Sequence, residues 1–352
     1  MTGRVAVLLL VTVIAAAAMP PAVPAAAAPP GAVPVGGPPQ VAAPSAILVD
    51  ARTGTVLFEQ GADVPRPPAS TTKILTAILA LERLRPEGFV TISQRAAAQR
   101  SGSAIGLEAG ERWRVDDLLH ALMLASANDA AVALAEAAAG SSERFVDLMN
   151  QKARALGARD STFIVPHGLH HPRHQVTARD LAHITRYALR QQAFASIVRQ
   201  QTYWLVRHGR PARLLINRNR LLWRLPGADG VKTGWVNESG PCLVASATRG
   251  GWQVIGVVLD SPDLFGDAAR LLEYAFAHFH IIRVAARDEV VARVMLARGN
   301  GEVAAVVPED FEIVLPRSAS LRWEVRLRPD LYPPLLRGAP IGEMLVLSLI
   351  HI

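Results

Sequence analysis

The sequence predicts a mixed α/β (α+β) chain: an antiparallel sheet with helices packed on it, followed by a small all-β domain. Three observations predict it. Strand-like runs at 45–58 give way to helical periodicity between about 70 and 190, and further strands and one helix close the pattern near 280. From 283 to 346, short β-branched runs alternate with Gly and Pro turns. The chain has 352 residues, half of them hydrophobic and only 19% charged, enough to bury a sizeable core and too apolar for a disordered chain.

The elements follow in order. Arg4, an uncharged apolar stretch at 5–19 and the alanines ending at Ala28 have the layout of a secretory leader, so residues 1–28 read as an export signal. The apolar stretch is shorter than the roughly 20 residues a membrane span needs. Residues 29–44, rich in Pro, Ala, Gly and Val, read as a tether. Two strands at 45–50 and 53–58, joined across Gly54, read as a hairpin, which Pro65, Pro67 and Pro68 end. A helix then runs from Ser70, placed like an N-cap, to about Arg83. Its apolar residues Ile74, Leu75, Ile78, Leu79 and Leu81 leave hardly a polar face, which suits a domain interior. Further helices are expected at 115–139, at 142–156 and after Thr177 to about 190. Strands are expected at 202–206, 230–234, 242–247 and 252–259, with a last helix at 264–279. These make one domain over 45–280, and the β-rich segment 281–346 makes a second. Residues 347–352 read as the in-frame translation of a sequencing adapter.

Composition excludes several classes. A single cysteine, Cys242, rules out an internal disulfide framework and a Cys-based zinc cluster; in an apolar strand it reads as a buried small side chain. Net charge is +7, yet the arginines are scattered and no zinc-finger or RNA-binding signature accompanies them, so nucleic acid is not an expected partner. Of the 37 Lys and Arg residues only Lys73, Lys152 and Lys232 are lysines. Arg207, Arg210, Arg213, Arg218, Arg220 and Arg224 read as a solvated edge, and Trp113, Trp204, Trp223 and Trp323 as packing residues.

The chemistry concentrates in three places. Ser70 and Lys73, three residues apart at a helix start, share one face. A serine hydroxyl is a poor nucleophile until a base removes its proton; a buried lysine can be that base, whereas arginine cannot give up its proton. Ser126 and Asn128 supply a second hydroxyl and an amide. Lys232, Thr233 and Gly234 supply a cation, a hydroxyl and a residue small enough to let a substrate backbone approach. A chain so poor in lysine spends two of its three in these motifs, which points to chemistry rather than to surface charge.

The order S-x-x-K, S-x-N, K-T-G resembles that of penicillin-recognising serine acyl enzymes. Longer strings resemble the low-molecular-mass penicillin-binding proteins that act as D-alanyl-D-alanine carboxypeptidases: Pro68-Ala-Ser-Thr-Thr-Lys73, Ser126-Ala-Asn-Asp-Ala130, Pro166-His-Gly-Leu169, Asn217-Arg-Asn219 and Asp229-Gly-Val-Lys-Thr-Gly234. The resemblance covers about 45–280 and implies a beta-lactamase/transpeptidase-like fold. It implies that Ser70 attacks the bond between two terminal D-alanines of a peptidoglycan stem peptide, Lys73 takes its proton and Ser126 relays one to the leaving amine. Asn128 would hold the substrate amide, Lys232 and Thr233 the terminal carboxylate, and backbone N–H groups of Ser70 and Trp235 the oxyanion. Beta-lactams would trap Ser70, and no cofactor is implied. The pattern departs from many relatives at Ala127, Val165 and Trp235. The resemblance also implies peripheral membrane association through a C-terminal amphipathic helix, which the sequence does not display, and a site of action outside the cytoplasmic membrane, in the periplasm or on the cell exterior.

Rival readings have their own discriminators. A class A beta-lactamase needs a glutamate between the second and third motifs to activate the deacylating water, and residues 144–237 contain none. A D,D-endopeptidase cutting cross-links shares all three motifs. A penicillin-binding wall sensor would acylate without turnover. His167, His170, His171 and His174 could suggest a metal, but no Cys, Asp or Glu joins the run and Pro172 breaks its register, so loop histidines without a metal are expected.

Overall fold

The computed structural model describes residues 8–16, 37–207, 209–296, 301–329, 331–332 and 335–349. They fall into two compact units, Pro38–Ala275 and Phe276–Ile352 with Met1–Gly37.

The first unit is built on a five-stranded, wholly antiparallel sheet. Its order is Val56–Gln60, Ser45–Asp50, Trp252–Leu259, Gly240–Arg249 and Ala228–Val236. The hairpin read from the sequence therefore pairs with the last strands of the unit, and Ala228–Val236 is left at an edge. All six residues of Ser45–Asp50 are buried, so this sheet is covered on both faces. Alternation divides the work. Ile47, Val49, Val244, Ile255 and Val257 join the large core built with the helices Lys73–Arg83, Val115–Met123 and Asn128–Ala139. Gly256 turns the other way, against Leu271 and Leu272 of the helix Leu264–His278. Ahead of the hairpin, the backbone N–H groups of Ala42 and Ala43 donate to the Asp267 carboxylate at 3.0 and 2.9 Å, pinning the chain's entry to that helix.

One expected helix is two. The apolar period runs unbroken from 115 to 139, but the chain leaves the helix after Met123 and re-enters it at Asn128. Ser126 has φ +64° and Ala127 is extended, a break that re-aims the serine side chain. Hydrophobic periodicity cannot register such a break, because the residues on both sides still face the core.

The second unit carries a five-stranded sheet ordered Val290–Met295, Glu302–Val306, Leu8–Ala16, Pro340–Leu349 and Ser320–Leu327, beside a two-stranded pairing of Phe279–Ala285 with Phe311–Pro316. Leu8–Ala16, part of the segment read as an export leader, pairs antiparallel with both of its neighbours. The rest of that leader (1–7 and 17–28), the tether over 29–36 and the last three residues, 350–352, lie outside the described residues. No helix among the described residues is long and apolar enough to cross a membrane.

Candidate active site

Ser70, the candidate nucleophile, sits on a strained turn. Ala69–Thr72 forms a single 3-10 turn that runs directly into the helix Lys73–Arg83. Ser70 stands inside this turn and is not the N-cap the sequence suggested; no side chain caps the turn, and the Ser70 hydroxyl remains available. Ala69 is held at φ +47°, a region uncomfortable for a residue with a Cβ. Lys73, one helical turn on, is fully buried, and its Nζ lies 2.8 Å from Ser70 Oγ and 2.5 Å from the His167 carbonyl. Burial, then the charges of Lys232 and Arg218, push its ammonium well below the ordinary lysine range, against an opposing pull from Asp129. The Lys73 Nζ donates to both Ser70 Oγ and the His167 carbonyl.

The segment 166–174 holds this turn from behind. Thr76 Oγ1 donates to the Pro166 carbonyl at 2.6 Å, and a Cβ on Gly168 (φ +84°) would stand 1.9 Å from the Ala69 carbonyl oxygen. Only glycine fits there. His174 is buried: its Nδ1 accepts from the N–H of Ile164 at 3.1 Å and of Val165 at 3.4 Å, leaving Nε2–H to donate to Thr72 Oγ1 at 3.0 Å. Thr72 in turn donates to the Ala69 carbonyl at 2.8 Å. Burial, reinforced by His171 and His170, keeps His174 neutral with a pKa of about 3; His167 is likewise brought to about 3 by burial, with Lys73, His174 and Arg95 adding. Two of the four clustered histidines are therefore neutral hydrogen-bonding supports of the turn that carries Ser70.

The second motif lies on the opposing wall. Asn128 donates through Nδ2 to the Ser101 carbonyl at 2.8 Å, while its buried Oδ1 has no hydrogen-bond partner among the described residues. An orphaned buried acceptor costs about 1–3 kcal/mol, and an N–H arriving from a ligand relieves it. Asp129 fixes the wall: its carboxylate accepts from the N–H groups of Ile105, Gly106, Leu107 and Ala130.

The third motif comes from the edge strand. A Cβ on Gly234 would stand 2.9 Å from Ser70 N and 3.1 Å from the Pro68 carbonyl oxygen, so the strand passes directly beside the Ser70 backbone. Thr233, Gly234 and the 64% exposed Trp235 face the cleft. Lys232 is buried behind them, its Nζ 2.9 Å from the Thr233 carbonyl, and burial followed by Arg218 brings its pKa down to about 7.

Ser70, Ser126, Asn128, Thr233, Gly234 and Trp235 line one cavity of about 1310 Å³, with Lys73 and Lys232 buried against its wall residues Ser70 and Thr233. The three motifs, spread over more than 160 positions, thus converge. Four side chains lining this cavity differ from the sequence reading: Arg218, Arg220 and Arg224, expected on a solvated edge, and Trp223, expected in packing. Arg218, taken as part of a solvated edge, is aimed into the cavity by its neighbours: Asn217 and Asn219 are buried, and Asn219 Nδ2 donates to the Gly230 carbonyl at 2.6 Å. Trp223, taken as a packing residue, is 46% exposed on the same wall. The signal was the alternation Asn-Arg-Asn, but only a fold shows which way each points. Arg207 and Arg210 instead pair with Glu108 and Glu111. Cys242 is buried, which pushes its thiol up to about 11 and leaves no nucleophile there.

Residues 33–263 match the family described as D-alanyl-D-alanine carboxypeptidase. The chain is 31% identical over 316 residues to the D-alanyl-D-alanine carboxypeptidase DacF of Bacillus subtilis, an alignment covering 86% of this chain and 81% of that one. Among solved structures, it is similar to penicillin binding protein 5 from Haemophilus influenzae, with a TM-score of 0.77 at 26% identity, covering 90% of this chain and 98% of the other. A D-alanyl-D-alanine carboxypeptidase from Mycobacterium tuberculosis aligns at 32% identity and a TM-score of 0.65, covering 70% of this chain and 95% of its own.

Proposed function

The chain belongs to the D-alanyl-D-alanine carboxypeptidase family of serine peptidases, and from that membership we propose that it removes the terminal D-alanine from peptidoglycan stem peptides through an acyl-enzyme on Ser70. The observation that carries the proposal is the buried Lys73 amine 2.8 Å from Ser70 Oγ, inside a cleft shared with Ser126, Asn128 and Thr233. Lys73 takes the hydroxyl proton as Ser70 Oγ bonds to the carbonyl carbon of the penultimate D-alanine. The resulting oxyanion is met by the N–H groups of Ser70 and Trp235, a term of roughly 3 kcal/mol for each donor. Ser126 passes a proton to the departing amine as the peptide C–N bond breaks. Water then opens the ester, regenerating Ser70.

Substrate placement follows from the walls. The orphaned Asn128 Oδ1 accepts an amide N–H of the peptide. The free terminal carboxylate meets Thr233 Oγ1 and Arg218, under the positive field of Lys232. This cationic corner favours a carboxypeptidase over an endopeptidase, whose substrate has no free carboxylate at that point. Beta-lactams enter by the same route and acylate Ser70; with no glutamate between residues 144 and 237, the ester they form lacks the base a class A beta-lactamase uses. Residues 1–28 are read as an export leader, so the enzyme works on wall peptides outside the cytoplasmic membrane.

Two measurements test the reading together: free D-alanine released from a synthetic stem pentapeptide, and labelling by a fluorescent penicillin. The intact protein releases D-alanine and takes the label. Ser70→Ala does neither, and Lys73→Arg loses about 10²–10⁴-fold in acylation because a guanidinium keeps its proton. Labelling of Ser70→Ala equal to the wild type removes Ser70 from its role.

A further inference from the structure

The peptide group between Ala69 and Ser70 is gripped by its oxygen. Thr72 Oγ1 donates to the Ala69 carbonyl at 2.8 Å, and Gly168 packs so closely against that oxygen that a Cβ there would stand 1.9 Å away. A trans peptide is planar, with its C=O and N–H pointing in opposite directions, so an oxygen that cannot move fixes the direction of the Ser70 N–H. Ala69, at φ +47°, occupies a region that a residue with a Cβ leaves unless its surroundings hold it there. The nitrogen end of the same peptide group lies beside Gly234, one of the residues lining the cleft.

His174 decides which way the Thr72 hydroxyl points. Its Nδ1 accepts from the N–H groups of Ile164 and Val165, so the ring proton is on Nε2 and is given to Thr72 Oγ1 at 3.0 Å. The hydroxyl hydrogen is then left to the Ala69 carbonyl. The ring is itself confined: His174 is 1% exposed, and Phe163 meets it edge-on with centroids 5.6 Å apart. Donation therefore runs one way, from the backbone at 164–165 through His174 and Thr72 to the Ala69 oxygen. Thr72 and His174 are both buried and stand outside the set of residues that line the cleft.

We propose that Thr72 and His174 are positioning residues for the oxyanion: they lock the Ala69–Ser70 peptide plane with its N–H aimed at the place where the negative oxygen forms. The proposal rests on the acyl-enzyme reading above, which gives the Ser70 N–H to that oxygen. A donor already aimed there needs no reorganisation as charge develops, and it does little for the substrate before the reaction begins. The lock thus acts on the rate of acylation and leaves initial binding alone.

The test separates those two quantities. The dependence of labelling rate on the concentration of a fluorescent penicillin gives the limiting acylation rate constant and the dissociation constant of the complex that precedes it. In Thr72→Val, which keeps the shape of the side chain and removes its hydroxyl, the rate constant falls by about ten- to a hundredfold while the dissociation constant stays within about twofold. Thr72→Ser, with the hydroxyl restored, recovers most of the lost rate. His174→Gln, whose amide can still donate to Thr72, acylates faster than His174→Leu, which cannot. These rate constants are read from the molecules that take the label, so a partly folded preparation does not alter them. A wild-type rate constant in Thr72→Val, an equal loss in Thr72→Ser, or weaker binding that accounts for the whole effect overturns the proposal. If Thr72→Val yields no folded protein, equal rates in the two His174 variants overturn it. Release of D-alanine from the stem pentapeptide by the wild type is followed alongside: its absence overturns the carboxypeptidase reading, while the penicillin rates still decide the role of the peptide plane.

Discussion

Lys73 and Lys232 are both stripped of water, yet the proposed chemistry needs them in opposite states: Lys73 neutral to accept the Ser70 proton, Lys232 charged to draw the substrate carboxylate. Different surroundings act on each. Burial and the charges of Lys232 and Arg218 push Lys73 well below the ordinary lysine range against the pull of Asp129, while burial and Arg218 bring Lys232 down to about 7. We therefore predict a bell-shaped pH profile for acylation by benzylpenicillin. The rate rises as Lys73 deprotonates and falls above about pH 7 as Lys232 loses its charge in the free enzyme. Lys232→Arg, which stays charged, should lose the descending limb even if its maximum is lower. A wild-type rate still climbing past pH 9 would show that Lys232 does not titrate in this role.

At the scale of elements, the decisive contact is between the edge strand Ala228–Val236 and the 3-10 turn Ala69–Thr72. It brings Ser70 N and the cleft-facing residues 233–235 together, and it tolerates no side chain at Gly234. The atoms a Cβ would meet at 2.9 and 3.1 Å are backbone, which cannot swing aside as a side-chain end could. Gly234→Ala is thus expected to push strand and turn apart at a cost of about 1–3 kcal/mol, reducing penicillin acylation by about tenfold or more while circular dichroism still reports a folded protein. An alanine variant acylated at the wild-type rate would mean that the strand does not approach the turn this closely. The sequence foretold that a small residue belongs here, because K-T-G has a role for it. It did not foretell the backing by residues 166–174, since the Lys73–His167 contact joins positions 94 apart. Nor could it show the break at Ser126, which apolar periodicity spans without interruption.

Across the whole molecule, every residue that lines the cleft belongs to Pro38–Ala275, and the large core lies between Ile47 and Leu259. A fragment of residues 38–275 should therefore fold and take fluorescent penicillin on Ser70 at a rate within a few-fold of the full chain. The Mycobacterium tuberculosis structure, aligned with only 70% of this chain, is a relative of about that extent. A folded fragment that takes no label would make the Phe276–Ile352 unit a participant in acylation. Leu8–Ala16 belongs to this scale as well. Its uncharged, β-branched run has the composition of an export leader and also that of a buried strand, and hydrophobicity alone does not separate the two.

From the amino-acid order came the chemistry: a serine with a lysine one turn away, a second serine with an asparagine, a Lys-Thr-Gly strand, and the scarcity of lysine that singled them out. These depend on residue type and short spacing, which a linear chain carries openly. The alternation of strands and helices was legible for the same reason, since burial on one face leaves a period of two or about 3.6. Tertiary structure alone decided the rest: that Arg218 and Trp223 turn into the cleft, that His174 and Thr72 hold the Ala69 carbonyl, and that two lysines lose enough water to titrate far below their usual range. Each of these is set by what surrounds a side chain from distant parts of the chain, and only folding brings those parts together.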